Sequence, residues 1–382
     1  MKVAFVCNSG ARCGIADYSQ NLLPELGKLV DVDMLLMPEL RESAERMSFF
    51  RYLRHGWRAY SFARKLPASD ICHIQHEYAL WGGLRPLGNV FPYFAAACRL
   101  PVVLTLHELA PYYRAATVQG KIAKALTLPI RPLANAYSDY VNRGMFALPR
   151  ALIVHTETQR RELLRRGLPE SKIHLIPHGI PDLNTIQGEE DTVRRFGLEG
   201  SPYLIIIGFI SRRKGYEMAL KALPQFDQDV KLVIAGGSRT ETDRAYEKKL
   251  RLMIDREGLS HRVVITGYLN MADLKSLVSE SLFVLAPFYQ TSGSGSLSIA
   301  LSLGKAILAT QLPEMAELAE HSKAMELCNC EDSSDLAVKT NALIGNPKRI
   351  AKLAGEAKRY ATAMSFHQVA AQTMNVYKKI IG

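Results

Sequence analysis

Tyr203-Leu-Ile-Ile-Ile-Gly-Phe-Ile-Ser-Arg-Arg-Lys-Gly215 begins as an uninterrupted apolar run and breaks at Gly208 into a tight basic turn ahead of a helical segment. Continuous hydrophobicity predicts a strand covered on both faces, the mark of parallel strands between helix layers. The turn aims Arg212, Arg213 and Lys214 beyond the strand's carboxyl end. A second strand, Leu282 to Pro287, leads through Phe288-Tyr-Gln-Thr291 to Ser292-Gly-Ser-Gly-Ser296 and on into Leu297-Ser-Ile-Ala-Leu-Ser-Leu303. Small residues there let backbone N–H groups at a helix start approach an anion. Side-chain cations from one loop and main-chain donors from the other suit a diphosphate, which points to a nucleotide-activated substrate.

Similar apolar runs recur along the chain with helical segments between them. In the first half they are Val3–Cys7, Val32–Met37, Ile71–Gln75, Val102–Leu106, Ala151–His155 and Ile173–Ile176; in the second, Tyr203–Gly208, Val230–Ala235, Val263–Gly267, Leu282–Ala286, Ala306–Thr310 and Ala324–Leu327. The pattern is βαβ repeated, twice over, and predicts an α/β protein with two Rossmann-like domains facing each other across a cleft. The expected division is 1–180 for an N-terminal Rossmann-like domain, 181–200 for a linker, 201–364 for a C-terminal Rossmann-like domain, and 365–382 for an amphipathic helix that has no strand of its own and returns to the first domain. The linker is read from Ile176-Pro-His-Gly-Ile-Pro-Asp-Leu-Asn-Thr185 and the polar Gln187 to Asp191, where prolines and a glycine break the periodicity.

A chain of 382 residues is long enough for two cores. Its longest apolar runs fall short of the roughly 20 residues that a membrane-spanning helix needs, and Met1-Lys-Val-Ala-Phe-Val-Cys-Asn8 enters a strand pattern without the marks of a signal peptide. A cytoplasmic protein is expected, with peripheral association at the inner membrane face as an added feature. Cys7, Cys13, Cys72, Cys98, Cys328 and Cys330 form no zinc-spaced cluster, so reduced and mostly buried thiols are expected. The net charge of +11 is concentrated: residues 41–65 hold seven Arg/Lys against two Glu, and residues 111–150 hold six against one Asp. Both stretches interleave aromatics, among them Phe50, Trp57 and Tyr60 in the first and Tyr112, Tyr113 and Tyr140 in the second. Basic and aromatic residues on a helix suit an anionic membrane surface; a layer helix with a solvated basic face is the competing reading. No nucleic-acid-binding motif accompanies the charge, so nucleic acid is not expected as a partner.

Asn8-Ser-Gly-Ala-Arg-Cys-Gly-Ile-Ala-Asp-Tyr18, His73-Ile-Gln-His-Glu-Tyr78, Thr105-Leu-His-Glu108, Ile176-Pro-His-Gly179, Gly208 through Gly215, Ile234-Ala-Gly-Gly237, Val264-Ile-Thr-Gly-Tyr268 and Ser292 through Gly304 follow one another in a specific order. In that order the chain resembles the GT-B glycosyltransferases of family 4, over nearly its whole length. The resemblance implies a retaining transferase that uses a nucleoside-diphosphate sugar as co-substrate and requires no metal or other cofactor. It implies that Lys214, an arginine of the same turn and the backbone amides of the serine/glycine segment (Thr291, Ser292, Gly293, Ser294, Gly295, Ser296) hold the diphosphate. It also implies that Gly14 and Gly208 allow close backbone approach, that His107 contacts the donor sugar, and that Tyr268 borders the base.

Two departures stand out. The arginine that the family places after the first glycine of the turn is Phe209 here, so its role passes to Arg212 or Arg213. The family's two glutamates, eight positions apart, fall at Thr291 and Ile299, or at Gln290 and Ser298 in the neighbouring register; neither register holds a glutamate. The Gln290 amide both donates and accepts, which suits sugar hydroxyls, and Ser298 is a candidate for ribose. The catalytic candidates are therefore His107, Lys214 and Gln290. His76, Glu77 and Glu108, also at strand ends, are candidates on the acceptor side, and the residues alone do not choose among them. Asp31-Val-Asp33 and Asp227-Gln-Asp229 spell a metal-binding triplet of other transferases but read as structural, and no metal site is expected. The expected function is transfer of a sugar to a lipid-linked, polysaccharide or other glycan precursor. A non-catalytic sugar-nucleotide-binding homologue and a sugar-nucleotide epimerase of the same architecture remain the alternatives.

Overall fold

Each of the twelve apolar runs forms a strand within two residues of its expected bounds. They are β1 Lys2–Cys7, β2 Asp31–Leu36, β3 Ile71–His76, β4 Val102–Leu106, β5 Ala151–Val154, β6 Ile173–Leu175, β7 Tyr203–Ile207, β8 Lys231–Ala235, β9 Val263–Ile265, β10 Val284–Ala286, β11 Ile307–Thr310 and β12 Met325–Cys328. The structure, a computed structural model, describes residues 1–7, 14–37, 49–83, 89–109, 136, 140–143, 145–227, 230–290 and 295–382. Among these, two six-stranded sheets form, in the orders β2-β1-β3-β4-β5-β6 and β12-β11-β10-β7-β8-β9. Every pairing is parallel.

One unit comprises Met1–Pro177 with Phe366–Gly382, the other His178–Ser365. In the first, alternation along the strands sends side chains to two cores. Val3 and Phe5 of β1, Val103 of β4 and Ile153 of β5 pack with Leu22 and Leu26 of helix α1 (Gly14–Gly27) and with Phe366, Val369 and Tyr377 of the tail helix Phe366–Ile381. Val6, Ile74, Leu104 and Leu152 face the opposite core, with Tyr52 and Ala59 of α2 (Phe49–Arg64) and Phe91 and Phe94 of the helix Phe91–Ala97. The tail helix is thus a layer of the first unit. At the edge strand β2, Met34 and Leu36 are exposed, and among the described residues no further strand pairs beyond it.

In the second unit Leu204 and Ile206 face the core that holds Tyr216 and Leu250, while Ile205 and Ile207 face the one that holds Leu297 and Ala300. The segment 181–200, expected as a linker, is packed here instead. Leu183 and Leu198 are buried, the Leu183 N–H donates to Ser302 Oγ at 3.1 Å, and Asp273 accepts from Thr192 Oγ1 and Arg195 at 2.6 and 2.5 Å. Its polar composition hid apolar anchors spaced too widely to show a period. Strand β12 ends at Cys328, so Cys330 lies beyond the strand.

Each sheet reverses its strand order once. In the second the reversal lies between β7 and β10, so the loops after these two strands leave neighbouring carboxyl ends in opposite lateral directions, which is where open α/β sheets bind ligands. The docking of the tail helix is testable. Phe366→Ala should destabilise the first unit by about 3–5 kcal/mol, read as a lower urea midpoint by tyrosine fluorescence, whereas the exposed Val338→Ala should leave the midpoint unchanged.

Candidate functional site

The two loops at the reversal of the second sheet interlock through their backbones. Gly215 has φ +66°, and a Cβ there would stand 1.8 Å from the carbonyl oxygen of Pro287, so only glycine lets the turn approach the β10 loop this closely. The N–H of Tyr289 donates to Arg213 O at 2.8 Å, and the Tyr216 hydroxyl donates to Gly208 O at 3.1 Å. The β8 loop lies as close: a Cβ on Gly236 would come within 2.1 Å of Gly208 O.

These contacts fold the Lys214 side chain back across Gly208. Its Nζ donates to Ser296 Oγ at 3.0 Å, and a Cβ on Gly208 would lie 3.4 Å from that Nζ. Ser296 sits in the first turn of the helix Gly295–Ser302. The ring of Phe288, a residue that sequence reasoning passed over, lies beneath the ammonium with its centroid 3.7 Å away. Burial, with the charge of Arg213 as the smaller cause, pushes Lys214 down to about 7. Among the described residues no carboxylate pairs with it. A cation sheltered in this way is set to gain from an incoming anion.

The other expected donor-site residues divide. Arg212 turns away, its guanidinium 5.0 Å from the Tyr246 ring centroid, and Arg213 is exposed. Gln290 is exposed at the end of the β10 loop. Tyr268 follows Gly267 and stacks on Phe209 with centroids 6.4 Å apart, and Arg239 lies 4.8 Å over the other partner of this pair, Phe209. Phe209 therefore stands in an aromatic and cationic stack beside the turn. Ser298 is 3.4 Å from His178 Nδ1, a half-buried imidazole contributed by the stretch from which the linker was read; its Nδ1 also lies 2.9 Å from Gly179 O. Thr291, Ser292, Gly293 and Ser294 lie outside the described residues, as does Asp229; Asp33 is held by Lys2 at 3.0 Å.

In the first unit, helix α1 starts at Gly14, where an added Cβ would meet nothing within 4 Å. His107 lies just past β4, half-buried, with Nε2 2.8 Å from Gln75 Oε1 and its ring edge-on to Tyr18 at 4.9 Å. Glu77 and Glu108 are half-buried at strand ends. His76 is a correction. It is fully buried among Tyr78, Trp81 and Phe91, neither ring nitrogen has a hydrogen-bond partner among the described residues, and burial pushes it down to about 3. A neutral imidazole enclosed in an aromatic core receives no proton from a substrate.

Residues 189–361 match the family described as glycosyl transferases group 1, and residues 14–182 match glycosyltransferase family 4. The chain belongs to the family 4, group 1 glycosyltransferases. An alpha-D-kanosaminyltransferase of Streptomyces kanamyceticus is 28% identical to this glycosyltransferase over 145 residues, 36% of each chain. An alpha-maltose-1-phosphate synthase of Mycolicibacterium smegmatis is 22% identical, with 96% of this chain and 95% of the relative covered. The chain thus spans about a third of the first relative and nearly all of the second. Among solved structures, Anabaena Alr3699/HepE in complex with UDP superposes with a TM-score of 0.71 at 17% identity, over 99% of this chain and 100% of the other. Sucrose-phosphate synthase of Thermosynechococcus elongatus gives 0.74 at 16%, over 99% and 98%. The glycosyltransferase fold is GT-B.

The lowered Lys214 pKa has a signed consequence. Between pH 7 and 10.5 the folded chain binds fewer protons at this residue than the unfolded chain, so its contribution to stability rises with pH across that window. Lys214→Met removes the rise. The advantage of the variant over the wild type in urea midpoint should be largest below pH 7 and shrink towards pH 10; a difference independent of pH would refute the assignment.

Proposed function

We propose that this glycosyltransferase binds the diphosphate of a nucleoside-diphosphate sugar between the Gly208–Gly215 turn and the helix that starts at Gly295, and transfers the sugar with retention of anomeric configuration, without a metal, to a glycan or lipid-linked precursor. The 3.0 Å contact between Lys214 Nζ and Ser296 Oγ carries this reading, because it brings the basic turn and the helix start to one point. As the bond to the sugar breaks, negative charge builds on the departing phosphate oxygen, and a preorganised ammonium with backbone N–H groups stabilises it more than the ground state. Arg213 adds charge at the rim. The Phe209–Tyr268 stack and Arg239 border the place for the base; His107 and Gln290 are the proposed sugar contacts, and Glu77 and Glu108 the remaining candidates on the acceptor side. Anabaena HepE has been crystallised with UDP and with UDP-glucose, which makes a uridine donor the first to test.

Thermal unfolding with UDP, GDP, ADP and their glucose conjugates should reveal one base that stabilises the chain, by about 2.7 kcal/mol at 100 times its dissociation constant. Lys214→Ala should remove most of that shift and lower transfer about 100- to 1000-fold. An intact shift in the variant would place the phosphates elsewhere. Conversion of the donor in the absence of any acceptor would instead indicate an epimerase, and binding without turnover of any donor and acceptor a non-catalytic homologue.

The lipid-linked acceptor is favoured by α2. Its buried side carries Tyr52, Ala59 and Ala63, while Leu53, Trp57, Arg58, Arg64 and Lys65 are exposed, and the chain has no acidic residue between 46 and 69. Trp57 stacks on Tyr60 with centroids 5.6 Å apart. Rings and cations on one outward face suit an anionic headgroup layer. The basic stretch 111–150 falls largely outside the described residues. Sedimentation with phosphatidylglycerol vesicles should carry the protein down, neutral phosphatidylcholine vesicles should not, and Trp57→Ala should weaken the binding; equal binding to both vesicles, or to neither, removes this acceptor reading.

A further inference from the structure

Strand β3 is central in its sheet and covered on both faces, a place where apolar residues are the rule. Its sequence, Ile71-Cys-His-Ile-Gln-His76, nonetheless puts His73 and Gln75 on the face that carries Ile71, towards α1 and the tail helix. Residue pairing sets Gln75 opposite Thr105 of β4, and His107, two residues further along the chain, continues the face of Thr105 beyond the strand. Four polar side chains of neighbouring strands thus share one buried face, and Tyr377 reaches them from the tail helix.

The contacts form an unbroken chain. Tyr377 Oη is 2.5 Å from His73 Nδ1, His73 Nε2 is 2.7 Å from Thr105 Oγ1 and 3.1 Å from Gln75 Nε2, and Gln75 Oε1 is 2.8 Å from His107 Nε2. Donor chemistry gives it a direction. The Gln75 amide nitrogen can only donate, so His73 Nε2 is a lone pair and His73 carries its proton on Nδ1, donated to the Tyr377 oxygen. The amide oxygen can only accept, so the proton of His107 sits on Nε2. Burial keeps His73 neutral, pushing it down to about 3, so the chain has no charged state to relax into near neutrality. Tyr377, His73, Gln75 and Thr105 are all fully buried, and in such surroundings a satisfied network specifies one arrangement.

We propose that Tyr377, His73 and Gln75 are positioning residues that fix the tautomer and ring orientation of His107, so that the C-terminal helix sets the chemical state of an imidazole at the carboxyl edge of the first sheet. The Nε2–H of His107 is committed to Gln75, so a change at Gln75 reaches the imidazole directly. The consequence for catalysis rests on the proposed role of His107 as a sugar contact. The tautomer assignment does not.

The test uses the full-length chain with ¹⁵N-labelled histidine. Two-bond proton–nitrogen correlations, with His107→Gln identifying the signals, should show His107 as a single Nε2–H tautomer. Gln75→Leu should convert it to a mixture. Tyr377→Phe, which touches no atom of His107 and removes one hydroxyl, should produce a smaller shift in the same direction, with far-ultraviolet circular dichroism unchanged to exclude unfolding. In single-turnover release of UDP from UDP-glucose, Gln75→Leu should lower the rate about 10- to 100-fold at saturating donor while leaving donor affinity unchanged. An Nδ1–H tautomer in the wild type, or a His107 signal that neither variant moves, overturns the proposal. A tautomer that moves while UDP release stays at the wild-type rate supports the positioning chain and overturns the catalytic role of His107.

Discussion

The approach of Gly215 to Pro287 O is the constraint on which the second unit's chemistry depends. Two loops that leave neighbouring parallel strands can share hydrogen bonds only if one of them gives up a side chain at the crossing, and the +66° φ of Gly215 reinforces that choice. Once the backbones are joined through Arg213 O and Tyr289 N, Lys214 has a short route across Gly208 to Ser296. The +123° φ of Gly208 disfavours a larger residue where the lysine crosses, so two glycines fix the placement of one cation. The sheet supplies the rest: the reversal of strand order between β7 and β10 puts both loops at one opening.

Lys214 and His73 show burial acting on two bases with opposite accommodations. Both are pushed below their ordinary values. His73 stays neutral and satisfies its ring nitrogens with hydroxyls and an amide, whereas Lys214 has a single hydroxyl and an aromatic face. The first arrangement is complete in itself and holds structure. The second is incomplete, and an anion would complete it. Polar groups in the two units are thereby distinguished by what they still lack rather than by how deeply they lie.

Much of this was legible in the residues. Largely apolar runs located the strands among the described residues, because both faces of a parallel sheet are covered, and the Lys-Gly turn and serine/glycine helix start marked a candidate site by placing cations and small residues after two strands. Reading failed where one-dimensional spacing carries no signal. Leu183 and Leu198 anchor a stretch that looks like a linker, Phe288 contributes a ring through a loop, and His76 looked accessible at a strand end although Trp81 and Phe91 close over it. The pair His73 and Gln75 did leave a trace, two polar residues at period two within a strand that ought to be apolar.

The sequence alone determined the fold class, the order of the strands along the chain and the residue types available at each carboxyl end, since these follow from local periodicity and from the backbone freedom of glycine. Tertiary structure decided which ends became neighbours and which polar side chains acquired partners. Strand order across a sheet and the return of the tail helix to β3 depend on contacts between residues far apart in the chain, and the enclosure of His76 depends on how Trp81 and Phe91 pack over it; no local pattern encodes these contacts.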